Sequence, residues 1–261
     1  MKTLLFLGDT HIGSTVALCK PTVELDDGGT YHASRAQRVL YTTWHKLIDM
    51  VKPDTTVILN GDLVETDTKH RSYQIITRNR TTLRRLANDV LDELVSKCAA
   101  VYVIRGTEAH AGKSASMDDA IGEDFDAPGH TAGSHSWWYL PLEVEGVRLD
   151  IAHHASMSGL PWNKNSANIL ASKIMFSAAD RGERPPNLVI RSHMHRWSDS
   201  YDTFGTRALQ LPAWTFATAH TERINPGAIA EIGAAFVTID KGAYEIDKFK
   251  AEPEKRLWVK M

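Results

Sequence analysis

The sequence predicts a layered α/β fold. Three observations point to it. Short runs rich in apolar and β-branched residues recur between Lys2 and His193, helical periods fall between them, and the C-terminal part reads as strands joined by turns.

Lys2 to Leu7 is the first run and reads as a buried strand. Thr55 to Asn60, Ala99 to Arg105, Val147 to His154 and Asn187 to His193 complete a series of five. Val39, Leu40, Trp44, Leu47, Ile48 and Val51 fall on one helix face, as do Leu83, Leu86, Val90, Leu91, Leu94 and Cys98. Asn163 to Asp180 reads as a third, weaker helix. The C-terminal segments "TRALQLPAW", "IGAAFVTID" and "GAYEIDKFK" read as strands, the last two joined at Asp240-Lys241-Gly242. A similar turn at Glu145-Gly146 splits "LEVEGVRLDIA". These strands imply a second, more antiparallel sheet. Ser14 to His32 and Gly112 to Trp137 read as insertions, the latter rich in Gly, Ser and Asp. No linker divides the chain, so a single domain over 1–261 is expected.

Apolar residues make up 43% of the 261 and charged residues 24%, an ordinary globular balance. The two cysteines, Cys19 and Cys98, show no paired spacing, and a reducing, cytoplasmic setting is expected. The N-terminal apolar run is too short for a secretory leader. No stretch approaches the ~20 apolar residues of a membrane span. A formal net charge of -2 gives no global field for a polyanion, so any such contact must be local. One local patch exists. From Thr68 to Asn88 there is no acidic residue, while Lys69, Arg71, Arg78, Arg80, Arg84 and Arg85 are basic. Such a run reads either as a solvated helix face or as a phosphate contact, with Arg71 and Arg78 the substrate-binding candidates. Trp137, Trp138 and Trp162 could stack on a base, although tryptophans in a chain this size more often fill the core.

The ends of the five strands are polar in a repeated way. They carry Asp9 and His11, Asp62 and Glu65, Glu108 and His110, His153 and His154, and His193 and His195. One aspartate after a strand is commonly a turn former, and one histidine needs only a hydrogen bond. Five such endings in series are harder to assign to turns, because ligand sites in open α/β sheets form at the carboxyl ends of strands. Clustered carboxylates and imidazoles are costly unless something pairs them. A pair of divalent cations removes that cost. Mixed oxygen and imidazole donors suit manganese first, with iron or zinc as alternatives.

The motifs "GDTH", Gly61-Asp62, "GTEAH", His153-His154 and "SHMH" resemble, in order and spacing, those of the calcineurin-like metallophosphoesterase superfamily. The resemblance covers roughly Leu4 to His195. It implies a four-layer αββα sandwich of two mixed sheets flanked by helices, and a two-metal centre. Asp9, His11 and His195 would hold one ion and Asp62 would bridge both. His193 and His153, with His154 as the alternative, would hold the second. The family's Gly-Asn-His is replaced by Gly106-Thr107-Glu108-Ala109-His110, so Glu108 or Thr107 would stand in for the missing amide. Glu65 replaces a more usual aspartate, and Ser192 a glycine. "GTEAH" and "GDTHIGS" are similar to phage- and prophage-type members, and "GDTHIG" to the first motif of double-strand-break repair nucleases.

The chemistry this implies is in-line attack on phosphorus by water activated between two ions, with His110 as the general acid for the leaving alkoxide. The expected substrate is a phosphodiester of nucleotide or nucleic-acid type. A phosphomonoesterase acting on a phosphoprotein or small ester is the alternative, and a non-catalytic interaction scaffold a third reading. No membrane partner is expected, and the oligomeric state is not legible.

Overall fold

The apolar run Lys2–Leu7 forms β1, buried from Leu4 onward. After it come β2 (Thr22–Glu24), β3 (Thr30–His32), α1 (Arg35–Ile48), β4 (Thr55–Asn60), α2 (Arg80–Val95), β5 (Ala100–Ile104), α3 (Glu108–Ala111) and α4 (Ser116–Asp124). The second half carries β6 (Tyr139–Val144), β7 (Val147–Ala152), α5 (Ser166–Asp180), β8 (Leu188–Arg191), β9 (Ser198–Asp199), β10 (Arg207–Gln210), α6 (Ala219–Ile224), β11 (Gly233–Asp240) and β12 (Ala243–Lys250). This is a computed structural model that describes residues 1–66, 74–155, 166–224, 227 and 229–252.

Two five-stranded mixed sheets form, in the orders β12-β11-β1-β4-β5 and β6-β7-β8-β10-β9. β1, β4 and β5 are mutually parallel, and so are β7, β8 and β10. The sheets pack face to face. Leu4, Phe6, Ile58, Ile104, Val237 and Ile239 of the first meet Leu140, Leu149, Ile151, Leu188, Ile190 and Leu209 of the second. Each such buried side chain contributes about 1.5–3 kcal/mol. The opposite face of the first sheet, with Leu5, Leu7, Val57, Leu59 and Val103, packs against Leu40, Trp44 and Leu47 of α1, against Leu83, Leu86 and Val90 of α2, and against Met117 and Ile121 of α4. The outer face of the second sheet, with Val189 and Ala208, packs on Ala167, Leu170 and Ala171 of α5. The result is the four-layer αββα sandwich.

Two expectations need correction. The C-terminal hairpin β11–β12 extends the first sheet through β1, and the fourth and fifth apolar runs, β7 and β8, build the second. A buried strand pattern fits either sheet, and only pairing decides between them. On α1, Val39 points outward at 53% exposure and Val51 lies beyond the helix end, so the buried stripe is Leu40, Trp44, Leu47 and Ile48. The stretch Gly112 to Trp137 contains the helix α4. Both hairpin turns hold. Glu145-Gly146 and Lys241-Gly242 each place two residues at positive φ, the two-residue geometry that suits strand twist. Among the described residues no helix is long and apolar enough to cross a membrane.

Candidate metal centre

The carboxyl ends of β1, β4, β5, β7 and β8 converge. Main-chain hydrogen bonds tie their loops together: Asp9 N donates to Gly61 O (2.8 Å), His11 N to Asp62 O (3.1 Å), Ser192 N to His153 O (2.9 Å) and Thr66 N to His110 O (2.7 Å). Asp9 Oδ2 also accepts from His193 N at 2.9 Å, linking the two sheets directly. Five residues of these loops, Asp9, His11, Asp62, His193 and His195, have φ between 43° and 72°. L-residues in this left-handed region cost about 1–2 kcal/mol each, a strain that clusters at functional sites.

Three groups of ligating side chains result, in each of which the ligand atoms lie within 4.8 Å of one another: Asp9, His11 and His195; Asp62, His153 and His193; and His11, Glu65 and His110. In the first, His195 Nε2 is 3.2 Å from Asp9 Oδ1 and 3.1 Å from His11 Nε2. In the second, His153 Nε2 is 3.1 Å from Asp62 Oδ2. That nitrogen also lies 3.9 Å from Asp9 Oδ1, so the two groups adjoin.

The donor set fits divalent cations. His153 Nε2 is fully buried, and despite its closeness to Asp62 it makes no hydrogen bond of acceptable direction. Nδ1 of the same ring donates to Asn60 O at 2.7 Å, which fixes the tautomer and turns Nε2 toward the carboxylates. Ring nitrogens about 3.3 Å apart are what two ligands on one tetrahedral cation at 2.0–2.1 Å require, close to the His11–His195 separation. Asp9 and Asp62 are wholly buried.

Electrostatics follow the same lines. Burial opposes the charged form of His11, but hydrogen bonds to Asp9 and Glu65 prevail and push it up to about 10. Burial likewise opposes the charge on His153, and Asp62 and Asp9 carry it up to about 9. Asp9 and Asp62 are held well below the usual carboxylate range, since the surrounding imidazoles outweigh burial. His193 is lowered to about 4 by burial and by His153, leaving a neutral donor.

The remaining sequence candidates fall differently. Glu108 does not join any group; it is exposed and its carboxylate accepts from Ser114 N at 3.0 Å. It begins the short helix α3, at the exposed end of that helix. Thr107 takes the position at the site instead. Its Oγ1 lies 3.0 and 3.1 Å from the two Asp62 oxygens, and its N–H donates to Asp62 Oδ1 at 2.5 Å. His154 lies beside the second group, its ring centre 5.1 Å from that of His193, but outside the ligand cluster. His110 comes to the site, where its Nδ1 donates to Glu65 Oε2 at 2.6 Å. Arg78 is exposed, and Arg71 lies outside the described residues, as do Lys69 and Trp162. Two residues of the basic run have structural partners. Arg84 pairs with Asp124 and Glu123, and Arg85 donates to Glu24 O. Trp137 packs against the inter-sheet core, and Arg105 sits over the Trp138 ring.

Sequence reasoning gives no role to one contributor and misses another. Glu65, one of the polar strand-end residues, has its carboxylate 3.3 Å from His11 Nδ1 while also holding His110. Asp118 on α4 is fully buried beneath the site. Burial and the Asp62 charge push its carboxyl up to about 7.

No family profile matches the sequence, and no curated protein matches it. Solved structures do. The chain is similar to a dimetal phosphatase from Danio rerio at 11% identity over 97% of this chain and 98% of that one, with a TM-score of 0.45. It is similar to Vacuolar Protein Sorting 29 from Cryptosporidium parvum at 12% identity over 96% and 97%, with a TM-score of 0.43. Vps29 from Entamoeba histolytica gives 11% identity over 96% and 99%, with a TM-score of 0.42. TM-scores below 0.5 carry neither activity nor metal content over to this chain.

Proposed function

We propose that this protein is a phosphoesterase dependent on two divalent metal ions, cleaving phosphodiester bonds of nucleotide or nucleic-acid type. The observation that carries the reading is the adjacency of two buried donor groups, Asp9/His11/His195 and Asp62/His153/His193, at the meeting of two sheets. These residues would hold the ions, manganese first. Ions bound there would supply Lewis acidity toward phosphoryl oxygens and make a water acidic near neutral pH.

The chain's own groups do the rest. Glu65 accepts from His110 Nδ1, so the ring is oriented. His110 then protonates the leaving alkoxide. Thr107 fixes the carboxylate of Asp62 through its N–H and hydroxyl. The bound groups need no nucleophilic serine or cysteine, and the thiols of Cys19 and Cys98 are pushed up by burial, to about 12 and about 11. The diester preference is supported by the "GDTHIG" motif and the basic residue Arg78, with Arg71 in the same run. The "GTEAH" form favours a phage- or prophage-type member.

The test compares bis-p-nitrophenyl phosphate with p-nitrophenyl phosphate in the presence of Mn2+. The diester is expected to turn over faster. Preference for the monoester would instead support a phosphomonoesterase, and no turnover of either with metals bound would support a non-catalytic scaffold.

A further inference from the structure

Asp118 lies in a stretch with no ligand motif, yet it touches two of the site's loops. Its Oδ2 accepts from Asp62 N at 3.2 Å and Gly106 N at 2.8 Å, and its Oδ1 accepts from Leu63 N at 3.1 Å. The first and third of these amides belong to the loop after β4, and the second to the loop after β5. The side chain is completely buried. The two loops are in contact at that point: a Cβ on Gly106 would lie 2.2 Å from Asp62 N and 2.2 Å from Asp62 Oδ1. The chain enters α4 through Ser114 and Ala115, both left-handed at φ 55° and 50°. That strained entry delivers Asp118 beneath the loops.

We infer that Asp118 is a positioning residue, a main-chain clamp that sets the separation of the Asp62 and Gly106-Thr107 loops and thereby the geometry of the second metal group. This rests on the metal-centre reading above. A carboxylate suits the role because both oxygens accept, and three converging N–H donors need at least two acceptor atoms. An asparagine of the same shape would present an NH2 group to some of those donors. The neighbouring Asp119 supplies an internal control. It also anchors α4, through the Arg105 side chain at 2.8 Å and through Ser136, but it accepts from no main-chain amide of Asp62, Leu63 or Gly106.

The experiment uses the full chain carrying Asp118→Asn or Asp119→Asn. Amide hydrogen exchange is read by NMR on the metal-free protein, and bound Mn2+ is counted by titration calorimetry. Asp118→Asn is expected to speed exchange at Asp62, Leu63 and Gly106 by about 100-fold or more while leaving the amides of β1 unchanged. It is also expected to reduce bound Mn2+ from two per chain to one. Asp119→Asn should lower thermal stability without either effect. If Asp118→Asn does not fold, Asp118→Ala, which removes the acceptors and adds no donor, is read in the same way. Unchanged exchange at the three amides, or exchange raised equally by Asp119→Asn, would overturn the proposal. A wild-type chain that binds no Mn2+ would overturn the metal-centre reading itself, and the exchange rates would still decide whether Asp118 clamps the loops.

Discussion

Glu65 joins two histidines with different proposed tasks. Its carboxylate reaches His11, a member of the first candidate metal group, and His110, the proposed proton donor. Burial disfavours its charge, but hydrogen bonds from both imidazoles lower it to about 2. Replacing His110 with alanine should lower turnover of an alkyl phosphodiester by about 100-fold or more, the usual range for a lost general acid. A substrate with an acidic phenol leaving group should be far less affected, because it needs no proton. Steady-state rates on both substrates check this, and equal losses would count against the role. The raised histidines set a second expectation for chelator-treated protein. His11 at about 10 and His153 at about 9 bind protons in the folded chain that the unfolded chain, near 6.5, gives up. The stability they contribute is therefore complete below about pH 6.5 and is lost as pH rises through about 9 to 10. Melting temperature of the metal-free protein should fall across that window, and a rise would contradict the assignment.

The elements that carry the site are strands with left-handed loops at their ends, and the loops are packed too closely for an added methyl. Gly106→Ala should destabilise the fold by about 1–3 kcal/mol, as overpacking does, because its Cβ would meet Asp62 N at 2.2 Å. Gly205→Ala has open space around it and should be nearly neutral. Denaturant midpoints of the two variants test the difference. The polar strand endings were legible because each chemically distinctive residue directly follows an apolar run. Asp118 was not, because it lies twelve positions after Gly106 on a helix entered by two left-handed residues. Glu108 misled for the opposite reason. It stands beside the motif in sequence, but the turn into α3 carries its side chain away to Ser114.

At the scale of the molecule, the α/β layering could be read from the periods of apolar residues, but sheet membership could not. β11 joins β1 along its length, from Lys2 opposite Ile239 to Phe6 opposite Ala235, and so places the C-terminal hairpin in the first sheet. β7 and β8 then face β1 and β4 across the inter-sheet core, and the loops of both sheets meet over Asp9. This junction is proposed to hold two cations. Titration calorimetry with Mn2+ tests it most directly, on the wild type and on Asp9→Asn, with circular dichroism to confirm the fold. Two ions per wild-type chain, and the loss of at least one in a folded Asp9→Asn variant, are predicted. Absence of binding in the wild type, or binding undiminished by Asp9→Asn, would contradict it.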